Sequence, residues 1–324
     1  MISFKSLIGA AILSCAAMSA QAQVIGIATN AQGSSFYSVG AGIASVLQQK
    51  ANLATRVQPS SGPSTFIPVL NRGEIEFAIS TSLDAVNSYL GIEDFKGRKN
   101  SDIRIVGAVF VIPIAIAVAN DSPYRSIKDL RGVRMPSQFP AQAVVGLIQN
   151  AMLSVGGLST ADMKQYPVAN YLKGMEALGQ NKVDAATFCV GCGLAQEANV
   201  ALASHGGLRF LSLPDTPEAL AALNMVYPGS YLKLFQPSPA LAGVVGPTHV
   251  MAYSGYMLTN AKTSDDVVYK ATKAIHENKA MLEASTQYLK TFEPNMMAEA
   301  SVVPYHPGAE KFYREAGEWP PRKR

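Results

Sequence analysis

Val24-Ile25-Gly26-Ile27-Ala28-Thr29-Asn30-Ala31-Gln32-Gly33-Ser34-Ser35-Phe36-Tyr37 is a short apolar run followed by a small, polar, glycine-containing turn. The run reads as a strand over 24–28 and the turn as a loop over 29–35. Beyond it Val39, Ile43, Val46 and Leu47 recur at three-to-four spacing, which predicts a helix over 36–49 with one buried stripe. A strand that feeds a helix N-terminus through such a loop is the opening unit of an α/β fold. The same alternation continues outward, with strands predicted at 53–57 and 76–79 and helices at 64–71 and 83–90. That order favours a parallel or mixed sheet covered by helices over an antiparallel sandwich.

The next apolar stretches, 103–109 and 114–119, read as two strands separated by Pro113, and Asp121-Ser122-Pro123 marks a turn. A crossing between lobes is placed there. The βα order then restarts: a short helical segment at 127–130, a strand at 133–135, a helix at 141–154, a helix ending at 175–179 and a strand at 185–188. A strand at 208–211 and a helix at 216–223 follow. Residues 227–239 are rich in Pro, Tyr and Ser and read as irregular, 250–258 as the crossing back, and 265–278 and 279–289 as closing helices. Residues 70–78 (LNRGEIEFA) and 178–186 (LGQNKVDAA) share leucine, a helix-ending Gly or Asn, charge, a β-branched residue, an acid and an apolar strand, 108 positions apart. Any helix-turn-strand junction tends toward this pattern, yet with the restarted order it favours two similarly built lobes. The expected division is a lobe of residues 23–119 plus 256–324 and a lobe of residues 120–255.

The composition fits a globular chain. With 48% apolar and 15% charged residues among 324, disorder is excluded. The net charge of +4 includes no basic tract beyond Arg322, Lys323 and Arg324, so nucleic acid is not an expected partner. Residues 1–22 read as a signal peptide: Lys5, an apolar run from Leu7 to Met18, and Ala20-Gln21-Ala22 as the cleavage site. The run is shorter than the ~20 residues a spanning helix needs. A soluble, exported periplasmic chain beginning at Gln23 is expected, with Cys189 and Cys192 as its cysteines. In an oxidising compartment they form either a disulfide or two packed thiols; neither a thioredoxin-type site nor a zinc site suits their surroundings.

No Walker A, G-x-G-x-x-G, G-x-S-x-G or H-E-x-x-H pattern is present, and the four histidines are scattered. No enzyme activity, metal or cofactor is expected. The candidate site is a set of loops after strands, which share one edge of an open α/β sheet. Asn30, Ser34, Ser35, Phe36 and Tyr37 form the first: backbone N–H groups at a helix start with hydroxyls nearby can hold a carboxylate, and an aromatic ring can cover its apolar part. The plainer alternative is a capped helix packed by its aromatics. Ser61, Thr65 and Phe66 form the second loop, and Ser80 and Ser82 the third. The opposing lobe would add Gln138, Phe139, Tyr171, Val190 and Gly191. Arg56 and Arg134 could pair with an acidic ligand or be surface charges.

Taken together, Gly33-Ser34-Ser35-Phe36-Tyr37-Ser38-Val39-Gly40, Leu70-x-x-Gly73-Glu74-Ile75-Glu76-Phe77-Ala78, Ile127-x-Asp129-Leu130-x-Gly132 and Pro304-x-His306-Pro307-Gly308-Ala309-Glu310-x-Phe312-Tyr313 resemble the TAXI family, the extracytoplasmic solute receptors of TRAP-type transporters. The similarity runs over nearly all of 24–317. It implies an α/β, type II periplasmic-binding-protein fold with two lobes around a ligand cleft, and a monomer that delivers a small organic acid or amino acid to a TRAP-type integral membrane permease. Alternatives are a structural or signalling periplasmic protein without a transported ligand and, less favoured, an exported enzyme. The chain departs from the family at Gly62-Pro63 with Thr65-Phe66, at Ser137-Gln138-Phe139-Pro140-Ala141 and at Val190-Gly191-Cys192, where a more apolar carboxylate than glutamate fits better.

Overall fold

A computed structural model describes residues 24–322 apart from 141, 143 and 291, so the signal peptide expected over 1–22 lies outside the described residues. The first half follows the alternation: β1 (Ile25–Thr29), α1 (Ser35–Ala51), β2 (Thr55–Pro59), α2 (Pro63–Arg72), β3 (Phe77–Thr81), α3 (Ser82–Leu90) and β4 (Ile103–Ala119). Then come β5 (Arg134–Gln138), α4 (Val144–Ser154), β6 (Lys164–Val168), α5 (Tyr171–Gly179), β7 (Ala185–Cys189), α6 (Gly193–Ala201), β8 (Leu208–Phe210), α7 (Pro217–Val226), β9 (Tyr231–Phe235) and β10 (Thr248–Asn260). Helices α8 (Asp265–Glu277), α9 (Lys279–Ser285) and α10 (Pro307–Glu315) close the chain. Among the described residues no helix is long and apolar enough to cross a membrane.

The main sheet runs β2-β1-β3-β10-β4-β7, with β8 beside β4 and β9 beside β10, while β5 and β6 pair in a second ladder. β1, β2 and β3 are mutually parallel, as are β5 and β6, whereas β10 is antiparallel to β3 and β4. Parallel ladders point their C-terminal ends the same way, so loops 30–34, 60–62 and 81–82 share one edge. One core gathers Ile27, Ile43, Leu47, Phe77, Ile105 and Tyr313. Two more lie beyond it, one around Ile116, Met135, Met152 and Tyr253, the other around Ala117, Phe188 and Phe210. The change of core falls inside the two long strands: Phe110 belongs to the first and Ile114 to the second, Tyr256 to the first and Tyr253 to the second.

Several expectations are corrected. Pro113 does not divide two strands, because β4 runs unbroken through it. A proline removes only its own N–H; here it sits opposite Ala252 of β10, and its carbonyl accepts the Val190 N–H at 3.1 Å. The segment read as irregular contains β9, a half-buried strand antiparallel to the first half of β10. The β6, α6 and α10 elements went unread, although α10 has a plain start signal in His306 accepting the Gly308 N–H with Pro307 in the first turn.

The echo between residues 70–78 and 178–186 marks equivalent junctions, α2 to β3 and α5 to β7. The shared acid explains why. Glu76 accepts the Gly26 N–H at 2.7 Å, and Asp184 accepts the Arg134 N–H at 2.8 Å. Gly26 and Arg134 are themselves 108 positions apart, so each half ties its third strand to its first by the same carboxylate latch.

Candidate functional site

At the first loop Ser34 caps α1 by accepting the Tyr37 N–H at 3.1 Å, and Phe36 packs edge-on against Phe110 with ring centroids 5.3 Å apart. Ser35 and Tyr37 are half-buried beside them. The Asn30 Oδ1 atom is buried and makes no hydrogen bond among the described residues. In the second loop Ser61 and Thr65 bond to each other at 2.8 Å on the surface, while Phe66 is buried in the first core. Ser60, next to Ser61, has its hydroxyl buried without a partner. Ser80 and Ser82 flank Thr81, which caps α3; their hydroxyls too are buried, without a hydrogen bond of normal geometry, that of Ser80 near Asp84 and that of Ser82 near the Tyr227 hydroxyl.

The lobes meet at that third loop. Leu83 packs into the second core. The Tyr227 hydroxyl, at the end of α7, faces Thr81 and Ser82, and its ring lies 4.8 Å from that of Tyr253. Burial, then the neighbouring Tyr253 and Asp84, push the Tyr227 phenol well above its ordinary range. Asp84 is buried in the first turn of α3, where its Oδ2 accepts the Thr81 hydroxyl at 2.7 Å. Burial outweighs that bond and pushes the Asp84 carboxyl up to about 6.

On the second lobe Gln138 and Phe139 both adopt left-handed backbone, with φ of 71° and 47°. Such conformations cost non-glycine residues about 1–2 kcal/mol each and collect at functional turns. Gln138 is exposed, whereas Phe139 is buried with its ring near Gly174 of α5. Ser137 and Tyr171 carry buried hydroxyls without a hydrogen bond of normal geometry, that of Tyr171 lying near the Cys189 backbone. Burial, followed by Tyr253 and Tyr288, raises the Tyr171 phenol well above its usual value. Val190 is buried in the third core, Gly191 turns the chain at φ 78°, and Cys189 and Cys192 are joined by a disulfide across this turn.

Buried polar atoms without a hydrogen bond of normal geometry occur on the strand-end loops of both lobes, Asn30, Ser60, Ser80 and Ser82 on one and Ser137, Tyr171, Tyr227 and Ser230 on the other, with Ser80 near Asp84 and Ser82 facing Tyr227; Ser88, Arg209, His306 and Glu318 carry others elsewhere. A buried polar group left unpaired costs about 1–3 kcal/mol, so a ligand that pairs with several gains correspondingly. The one cation in this set, Arg209, has its guanidinium held by the Ser122 and Tyr124 carbonyls. Arg134 is not available to an acidic ligand, since its guanidinium grips Asp184 at 2.7 Å, and Arg56 is exposed on β2. Asp84, Tyr227 and Ser230 were missed from the sequence because no spacing links α3 to the end of α7. The Tyr- and Ser-rich composition of 227–239 was the one available signal. Among the described residues no group of three or more His, Cys, Asp or Glu could hold a metal.

Two α/β lobes joined through two long strands, with polar strand-end loops at their junction, form the type II periplasmic-binding-protein fold. Residues 27–317 match the NMT1-like family, and the chain belongs to it. The fold resembles that of SsuA, a periplasmic sulfonate-binding protein of a sulfonate ABC transporter from Methylobacillus flagellatus, with a TM-score of 0.50 at 17% identity over 83% of this chain and 73% of that one. It also resembles XAC2383 from Xanthomonas citri, solved with chloride (TM-score 0.50, 10% identity, 91% and 97% coverage) and with ATP (0.50, 11%, 91% and 96%).

Proposed function

We propose that the protein is a periplasmic solute receptor whose lobes close on a small organic acid or amino acid and present it to a membrane permease. The observation that carries the reading is the set of buried, unpaired hydroxyls on both edges of the cleft. Neutral donors on strand-end loops and helix starts can hold a carboxylate without a full countercharge, and Asp84 at the same junction suits the ammonium of an amino acid. The ligand residues are drawn from Asn30, Ser35, Tyr37, Ser80, Ser82, Gln138, Tyr171 and Gly191, joined by Ser60, Ser137 and Tyr227. Closure pivots where the cores change, near Val111–Pro113 in β4 and Ser254–Gly255 in β10, dividing the chain close to the expected lobes of 23–119 plus 256–324 and 120–255. The TAXI-like motifs support a TRAP-type permease as the partner; an ABC-type permease is the competing assignment, since SsuA serves one.

The test is a thermal-shift and calorimetric screen of purified protein against organic acids, amino acids and, in view of SsuA, organosulfonates. At least one compound should raise the melting temperature by mass action. Tyr227→Phe and Ser137→Ala should each weaken it about five- to tenfold, the worth of one net hydrogen bond, without loss of stability. No stabilising compound across the whole panel would refute the receptor reading. Co-reconstitution of the receptor with a TRAP-type or an ABC-type permease in liposomes distinguishes the two partners by which one transports the ligand.

A further inference from the structure

Glu299 lies in the irregular segment between α9 and α10, is 7% exposed, and reaches the long strand β10. Its Oε2 accepts the Ser254 hydroxyl at 2.8 Å and its Oε1 accepts the Tyr256 hydroxyl at 2.6 Å. These two residues flank Gly255, and the ladder of β10 with β4 shifts register between Gly255 and Tyr256. The change of core also falls between Tyr253 and Tyr256. One carboxylate therefore holds β10 on both sides of the point where the strand passes from one lobe to the other.

The acid is itself fixed to the first lobe. The Met297 carbonyl accepts the Ala108 N–H at 2.9 Å, and the Ala298 carbonyl accepts the Arg322 N–H at 3.0 Å. The Glu299 N–H donates to Tyr305 Oη at 2.8 Å, and the Tyr305 ring meets that of Tyr313 edge-on at 5.8 Å. Tyr313 in turn donates to the Val106 carbonyl at 2.8 Å. Burial, then the Glu299 charge, holds the Tyr256 phenol far above its ordinary range, so it remains a donor. Apolar groups of the same shape would fill this space as well. They would not hold two hydroxyls in one fixed orientation, as directional, charge-assisted hydrogen bonds do.

We propose that Glu299 is a positioning residue for lobe closure: by holding Ser254 and Tyr256 it confines the bend of β10 to Gly255 and sets the angle at which the second lobe stands on the first. This rests on the closing motion of the receptor reading, although the ligand need not touch Glu299. Without the clamp β10 bends over a longer stretch and the angle between the lobes spreads.

The test measures that angle in the ligand-free protein. Spin labels at Lys50→Cys, exposed at the end of α1, and Val200→Cys, exposed on α6, report one interlobe distance by double electron–electron resonance, the native Cys189 and Cys192 being bonded to each other. Glu299→Gln keeps the shape of the side chain and loses its charge. It should broaden the distance distribution and speed hydrogen exchange at 254–257 about tenfold relative to the amides of β1 and β5, the worth of a bond to a charged group. Ser254→Ala removes one of the two bonds and should broaden the distribution less; added to Glu299→Gln it should change little further, since both act on one clamp. If Glu299→Gln does not fold, Ser254→Ala carries the same test. An unchanged interlobe distance overturns the proposal, whatever the exchange shows, and so does acceleration shared equally by β1 and β5, the mark of general loosening. A stabilising ligand found together with an unchanged distance would keep the receptor and sink the clamp; a ligand screen without a hit would refute the receptor reading and leave the distance result standing.

Discussion

Gly255→Ala probes the strand pair through which the lobes are joined. Gly255 of β10 pairs with Phe110 of β4, immediately before an irregularity in the ladder at Tyr256. A Cβ at Gly255 would fall inside the Phe110 ring, 2.5 Å from its Cζ and closer still to Cδ1 and Cε1. The ring cannot swing away freely, because it is buried and stacks edge-on against Phe36. Overpacking of a tight core costs about 1–3 kcal/mol, against an intrinsic gain of roughly 0.5–1 kcal/mol for replacing a strand glycine. The net loss expected is about 1–2 kcal/mol, read as a lower urea midpoint at unchanged slope. A double-mutant cycle isolates the cause. Phe110→Ala alone should cost about 3–5 kcal/mol, but in that background Gly255→Ala should cost nothing or stabilise slightly. Equal destabilisation by Gly255→Ala in both backgrounds would refute the argument, since Phe110 would not then be what requires glycine.

Asp84 has its pKa raised from 3.8 to about 6 by burial, so the folded state binds its proton more tightly than the unfolded one; stability falls as pH rises from about 4 through 6, by about 3 kcal/mol in all. Asp84→Asn should flatten that part of the pH–stability curve measured by urea unfolding, and an unaltered curve would remove Asp84 as its source. Asp184 behaves oppositely: partial burial pushes its carboxyl up, but the side-chain and backbone hydrogen bonds from Arg134 and its charge carry it below the ordinary value. Its contribution is present above the ordinary carboxylate pKa and lost as pH falls through the depressed one, so Asp184→Asn should cost about 1–2 kcal/mol at pH 7 and progressively less as acid is added; a cost independent of pH down to acid unfolding would contradict the latch. Cys189 and Cys192, bonded in the structure, should resist alkylation until reduced. Because they close a very short loop, their joint replacement by serine should cost no more than about 2 kcal/mol on chain-entropy grounds, and any larger effect should appear in ligand affinity.

The parts of the fold legible in the sequence are those decided within a few residues. Ser34 before the 36–49 stripe marks a cap and becomes one. Gly73 ends α2 at φ 77° and Asn181 turns the chain at φ 56° after α5, so the 70–78 and 178–186 junctions could be recognised from turn chemistry alone. The latch acids were visible as the shared acid of that echo, although what they hold was not. Hydroxyl-bearing loops after parallel strands likewise lead to the cleft edge, because parallel pairing puts strand C-terminal ends together whatever the loops contain.

Contacts between distant segments decided the rest. Pro113 reads as a strand break until β10 supplies Ala252 opposite it and Val190 supplies a donor to its carbonyl. Arg134 reads as a free cation until Asp184 reaches it from fifty residues away, and Tyr227 reads as loop until α7 brings it to Thr81 and Ser82. Phe66 and Phe139 show the same limit, since the aromatic residues expected at the cleft are buried in packing. Sequence by itself determined the order of elements, the repeated halves and the strand-end loops, through caps, glycines and apolar periodicity acting over one or two turns of chain. Which strand-end hydroxyls are left buried without a regular hydrogen bond only the tertiary structure decided, because burial and hydrogen-bond partnership depend on what the rest of the chain places nearby.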